Sequence, residues 1–332
     1  MPSTLSPHYS IGTPGQAWSD AERSLWLARQ TVQRSYQSDV VEPLLQLFAP
    51  SGDPDLQACA ECFSYGSLDY RAEGFGTYRL YAVKSRHWNP AKPFFLVTGG
   101  VHGYETSGVL GGLCFLAERF THYAERANLL HLVCVSPWGY ETINRWNPHA
   151  VDPNRAFFPT PAAPEAKNAI DLLDQFGPPL LHIDLHETTD TDASEFRLAK
   201  AARDATPLEP CDVPDGFYLF ADQNRPQPAF QAAIIDSVSR LTHIAPADAQ
   251  GELLGKPLVQ HGVIQSFKRQ QGICSGWTEA RYVTTTEVYP DSPRLNPQLC
   301  IDVQLTALCA GFDFVLDTAL KTEALAGSPR TI

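Results

Sequence analysis

The sequence predicts an α/β protein: a single domain on a twisted, mixed but largely parallel sheet, with helices on both faces. Three compact apolar runs point there, PFFLVTGG (93–100), LLHLVCVSP (129–137) and PLLHIDLH (179–186), separated by helix-like text at 106–120 and 166–176. Runs so short and continuous suit strands buried on both faces, and strands alternating with helices pair in parallel beneath helical layers. At 332 residues, 43% of them hydrophobic and 19% charged, the chain is long enough to bury a full core.

Each element follows from its local text. Residues 19–48 carry Leu25, Leu27, Val32, Val40, Val41, Leu44, Leu45 and Phe48 at helical spacing, behind an acidic start at Asp20 and Glu22 that suits a helix N-terminus. This predicts an N-terminal helical segment over 1–50, packed on a main domain of 51–332. From Cys59 to Lys84 the text alternates around Gly74 and Gly76, predicting two antiparallel strands. After the three apolar runs come a strand at 216–221, a helix near 227–241, strands near 262–268 and 283–289, and a closing helix from about Pro297 to Leu320. The 27 prolines cluster at 146–179 and 207–228, where long surface loops are expected. Gly108, Gly111 and Gly112 lack the lysine-serine/threonine ending of a phosphate loop and instead let the helix that follows residue 105 sit close to the sheet.

Composition narrows the function. The 25 Lys+Arg and 37 Asp+Glu give a net charge of −12 with no basic block, which argues against a nucleic acid partner. No stretch reaches the ~18 continuous apolar residues of a membrane span. The start MPSTLSPHYSIGTPGQAWSD lacks the basic and apolar regions of a leader. The expectation is a protein of the cytoplasm with no membrane partner. The eight cysteines (Cys59, Cys62, Cys114, Cys134, Cys211, Cys274, Cys300 and Cys309) are scattered through apolar text, as reduced thiols are. Cys59 and Cys62 form a CxxC, but no second ligand pair for structural zinc and no thioredoxin-like context accompanies it.

Ligands of open α/β sheets gather outside the carboxyl ends of the strands. There the polar residues of this chain collect: His102 and Glu105 in GGVHGYETSG, His186 and Glu187 after the third run, and Glu287 near the end of RYVTTTEVY. An HxxE is either a hydrogen-bonded pair or half of a metal site. Its i,i+3 spacing lets both side chains face one point, and a third ligand from another strand would leave a tetrahedral cation one open position. His186 is the candidate third ligand. Alternation in HIDLH places His182, Asp184 and His186 on one face and Ile183 and Leu185 on the other.

The segments HGYE, RWNPHAVDPNRAF (145–157), DLHET (184–188) and TTTEVY (284–289) occur in this order between about 93 and 290. With them the chain resembles the zinc metallocarboxypeptidases of the M14 type, a family that also embraces succinylglutamate desuccinylase and aspartoacylase-like amidohydrolases. The resemblance implies a zinc-carboxypeptidase-like fold and one Zn2+ ion held by His102, Glu105 and His186. It implies Glu287 as general base, Arg145 polarising the scissile carbonyl, Asn154 and Arg155 holding the substrate's free carboxylate, and Asp152 orienting the first zinc histidine. The chemistry agrees with each role. Zinc lowers the pKa of bound water to roughly 7, a carboxylate can take the proton, and a guanidinium stabilises a developing oxyanion. An adjacent amide and guanidinium match a carboxylate.

The implied activity is removal of a C-terminal residue from a small peptide. The alternatives are an amidase acting on N-acylamino acids or cell-wall peptides, and a non-catalytic zinc-binding module. The last would have no reason to keep Arg145, Asn154, Arg155 and Glu287. Departures from the family pattern are Pro153, where leucine is usual, and Ala156, where asparagine is usual. The mobile tyrosine of many carboxypeptidases has no counterpart either, since Tyr282 and Tyr289 flank Glu287 at the wrong spacing. The acidic run 186–196 (Glu187, Asp190, Asp192, Glu195) offers oxygen ligands for a second metal but reads as a solvated loop, because only His186 sits on a strand end. Arg197, Lys200 and Arg203 recur as a charged helical face, and Trp146, His149 and Trp277 either edge the cleft or pack.

Overall fold

The structure, a computed structural model, describes residues 9–208 and 212–326. Residues 1–8, which begin the segment read as leaderless, and Cys211 lie outside the described residues.

The strands are β1 (Ala60–Asp69), β2 (Thr77–Ser85), β3 (Phe94–Gly99), β4 (Asn128–Leu132), β5 (Leu181–Glu187), β6 (Tyr218–Asp222), β7 (Glu252–Leu253), β8 (Lys256–Pro257), β9 (Val263–Ser266) and β10 (Tyr282–Val288). Eight form one sheet in the order β1-β2-β4-β3-β5-β10-β6-β9, and β7 pairs with β8 separately. The middle four, β4, β3, β5 and β10, run parallel, while β1, β2 and β6 pair antiparallel with their neighbours toward the middle. The sheet is thus mixed with a parallel centre, as the apolar runs predict. Every residue of β3, β4 and β5 is buried, the mark of strands covered on both faces.

Two apolar layers provide that cover. Phe95 and Val97 of β3 face one layer, which holds helices Thr106–Glu118, Pro228–Val238 and Pro297–Ala326. Phe94 and Leu96 face the other, which holds helix Pro164–Leu173 through Ala166, Ala169 and Ile170. The helix Pro297–Ala326 is apolar enough over Pro297–Thr318 to match a membrane span by length and composition. In the fold that apolarity has another use: Val303, Leu308, Phe312 and Val315 are buried in the core.

The helical text at 19–48 is not continuous. Helix Asp20–Leu27 starts with a Ser19/Glu22 capping box, and helical structure resumes only at Gln37–Val41 and Glu42–Leu47. The stretch between them is polar apart from the exposed Val32 and, at its end, Tyr36, which is buried in the core. Trp18, Trp26, Val40 and Leu44 nonetheless join the same core as the central strands. The second apolar run also ends early as a strand, at Leu132. Pro137, with no N–H to give a ladder, opens helix Pro137–Thr142 instead.

Gly108 has the packing role read from the sequence. A Cβ there would lie 2.6 Å from the Leu185 carbonyl oxygen, so the helix rests directly on the backbone of β5. Every described cysteine is a free thiol, those of the CxxC included.

Candidate metal centre and active-site cleft

The three strand ends meet. β3 finishes at Gly99, and Gly100 turns the chain at φ +60, a conformation that favours glycine. His102 follows, with Glu105 immediately ahead of helix Thr106–Glu118. His186 lies near the end of β5, and the parallel register sets Glu287 of β10 beside it. The connection from Arg145 to Arg155 closes the side of the cleft and ends in a short turn, Pro153–Arg155. Asp152 caps that turn by accepting the Asn154 N–H at 2.9 Å.

Glu105 is the centre of the cluster. His102 Nδ1 lies 2.8 Å from its Oε1 and His186 Nδ1 lies 2.6 Å from its Oε2. The opposite ring nitrogens are also held, His102 Nε2 at 2.9 Å from Asp152 and His186 Nε2 at 3.0 Å from Asp184. All five side chains are buried. Burial alone would raise the Glu105 carboxyl, but the two imidazoles outweigh it and bring it down to about 2. The same competition, decided by Arg145 and His102, holds Asp152 well below the usual carboxylate range.

This donor set fits a cation. One ligand atom from each of His102, Glu105 and His186 lies within 4.8 Å of the others. Two imidazoles and one carboxylate leave a tetrahedral ion an open position, and both rings are backed by a carboxylate on the far nitrogen, as metal-bound histidines usually are. A second cluster, His182, Asp184 and Cys274, is equally compact. Its groups are already committed: the His182 nitrogens lie 3.0 Å from Thr98 Oγ1 and 3.1 Å from Thr278 Oγ1, and Asp184 accepts from Thr98 at 2.6 Å as well as facing His186.

The other singled-out residues surround this centre and line one cavity of about 580 Å³. Glu287 Oε2 accepts from Thr188 Oγ1 at 2.8 Å, and burial pushes its carboxyl up to about 8. Arg145 donates through Nε to Asp152 at 3.1 Å and through Nη1 to Asp192 at 3.0 Å. The buried Asn154 amide accepts the Cys274 N–H at 2.8 Å, with its Nδ2 3.3 Å from His186 Nε2. A ring nitrogen that donates to Asp184 cannot also accept from Asn154, which leaves the Nδ2 hydrogens for a ligand. Arg155 is exposed at the cavity, its Nη1 donating to the Asn154 carbonyl at 2.6 Å.

The acidic run 186–196 is not the solvated loop that its composition predicts. Asp192 is buried, bonded to Arg145, to the Tyr104 hydroxyl at 3.0 Å and to the Thr189 N–H at 2.8 Å. Glu187 is buried too and accepts the Ser107 N–H at 2.7 Å, with burial raising its carboxyl to about 7. Asp190 and Glu195 are the acidic residues of the run that face solvent. Of the charged helical face, Arg197 and Lys200 line the cavity, and Arg203 lies over the Trp146 ring at 4.2 Å. Trp146 lines the cavity, Trp277 packs in the core, and His149 sits 3.7 Å from Glu73.

Sequence reasoning overlooked Tyr218, Thr188 and Thr285 on the cavity wall and Lys268 behind it. The one available signal was alternation in TTTEV, which puts Thr285 on the same face as Glu287.

No protein-family model and no curated protein sequence matches the chain. Solved structures do. A candidate metallopeptidase from Shewanella amazonensis SB2B shares 18% identity, with 86% of this chain and 98% of that chain covered at a TM-score of 0.62. Bovine thrombin-activatable fibrinolysis inhibitor, solved with a tick carboxypeptidase inhibitor, shares 12% identity over 88% of this chain and 99% of its own at a TM-score of 0.55. A metallo-carboxypeptidase from Pseudomonas aeruginosa in complex with (2-guanidinoethylmercapto)succinic acid shares 13% identity over 78% and 66% at a TM-score of 0.51. The chain has the zinc carboxypeptidase fold that the order of its motifs resembles.

Proposed function

We propose that this chain is a zinc-dependent hydrolase that cleaves the amide bond next to a free carboxylate, removing the C-terminal residue of a small peptide. What carries the proposal is the convergence of His102, Glu105 and His186 on one point, each ring backed by a carboxylate, with Glu287 beside them in the cavity. One Zn2+ ion held by His102, Glu105 and His186 would supply the Lewis acid that lowers the pKa of water and polarises a carbonyl.

The chain's own residues do the rest. Glu287, raised by burial toward neutrality, is suited to take a proton from the attacking water and return it to the leaving nitrogen. Arg145, fixed by Asp152 and Asp192, still has Nη2 outside those two bonds for an oxyanion. Arg155 and the Nδ2 hydrogens of Asn154 receive the terminal carboxylate.

Comparing peptides and N-acylamino acids with free and amidated carboxylates tests the proposal. Leaving the recognising donors unpaired costs about 1–3 kcal/mol, so blocked substrates should be cut roughly 5–150 times more slowly. Arg155→Lys should raise KM strongly, because a point charge cannot reproduce the planar fork, while Arg145→Lys should act mainly on kcat. Equal cleavage of blocked and free substrates would mean an internal amidase or esterase.

A second reading, a deacylase of N-acylamino acids, draws on one observation. Among the described residues, the tyrosine lining the cavity is Tyr218, which sits within β6 with its hydroxyl 2.6 Å from Thr188 Oγ1. Among the described residues, no tyrosine of a loop lines the cavity. The same substrate panel separates the two.

A further inference from the structure

Lys268 is fully buried, yet its described partners are all uncharged. Nζ donates to Ser275 Oγ at 2.9 Å and to Thr285 Oγ1 at 2.5 Å, and lies 5.2 Å from the centre of the Phe220 ring. The nearby carboxylates are otherwise engaged. Asp222 is bonded by Arg225 at 2.5 and 2.8 Å, Asp184 by His186 and Thr98, and Glu287 by Thr188. A buried ammonium without an ionic partner is costly and calls for a reason.

Two of its neighbours, Thr285 and Phe220, line the cavity that holds the metal centre. Ser275 and Thr285 both accept from the ammonium and lie 3.0 Å from each other, so one of their two hydroxyl hydrogens is used between them. With Ser275 as that donor, the Thr285 hydrogen is free to point into the cavity, with positive charge directly behind it. Lys200 and Lys256 add cations along the same cavity in a chain whose net charge is −12.

We propose that Thr285, backed by Lys268, reads a second anionic group on the substrate: the residue released has an acidic side chain, as glutamate and aspartate do. The proposal rests on the hydrolase reading for the word released, but the selectivity itself is a property of the cavity. A carboxylate there gains both the hydroxyl donor and the charge, whereas its amide isostere gains only the donor.

The experiment has two arms. Calorimetric titration of the zinc-loaded protein with L-glutamate and L-glutamine should show glutamate bound roughly tenfold or more tightly, and the kcat/KM ratio for peptides ending in these residues should follow. Lys268→Met and Thr285→Val should each collapse the ratio toward one, with melting curves confirming a folded protein. Glutamine bound as tightly as glutamate by the wild type overturns the proposal, and so does a folded Lys268→Met that keeps the preference. If that variant fails to fold, Thr285→Val and the wild-type ratio decide. Selective glutamate binding without any hydrolysis would refute the hydrolase reading and leave this one standing. Cleavage with no preference for the acidic residue would do the reverse.

Discussion

His186→Ala is expected to strip the metal from the protein and abolish turnover. Two ligands and water hold zinc poorly, and altering even the groups behind metal ligands costs about 10–100-fold in affinity, so loss of a ligand should exceed about 100-fold. Elemental analysis of dialysed protein reads this directly, and full zinc in the variant would refute the ligand assignment. The metal-free protein should suffer as well. His186 lies between Glu105 and Asp184, and removing it leaves two buried carboxylates facing each other across the gap. Breaking a buried ion pair in this way typically costs about 3–5 kcal/mol.

Glu287→Gln should have the opposite profile, with metal retained and kcat reduced by roughly 10²–10⁴-fold, the usual contribution of a general acid or base. Near wild-type turnover would shift the role to Glu187, the other buried carboxyl raised toward neutrality. The pH dependence has a definite sign. A base must be ionised, so activity should rise with pH along an acidic limb. Burial sets the upper bound of that limb at about 8, and a bound cation pulls it down toward the ordinary value of 4.5. Stability runs the other way. The folded state holds this proton more tightly than the unfolded chain, so its contribution is complete below about 4.5 and fades as pH rises toward 8. Metal-free Glu287→Gln should therefore melt higher than wild type at pH 9 and show little difference at pH 4.

The central fold was legible because its strands are buried on both faces and cannot hide a polar residue without a purpose. In PLLHIDLH the polar positions are the ones that carry chemistry: His182, Asp184 and His186 alternate with core residues, and all three bond at or next to the metal centre. Order along the chain did the rest, since four short segments in sequence resemble one family where none alone would. The acidic run was misread because composition cannot show that Arg145, 47 residues earlier, returns to bury Asp192. Lys268 was overlooked for a related reason. Its neighbours Ser275 and Thr285 come from different elements, and lysine is ordinarily a surface residue. The break in the N-terminal helix was missed because Val32 sits at helical spacing, although the fold leaves it exposed.

Asp152 has a consequence for how occupancy of the two halves of the cleft is linked. One carboxylate faces His102, anchors Arg145 and caps the turn that carries Asn154 and Arg155. A cation that settles His102 and a ligand that settles the Asn154 turn thus draw on the same group. Their binding free energies cannot be independent, and the coupling must be reciprocal. A product carboxylate that tightens zinc binding should itself be held more tightly when zinc is present, by the same factor. The cleft would then behave as a two-ligand receptor with a shared hinge pin, losing its metal most readily when it is empty of substrate.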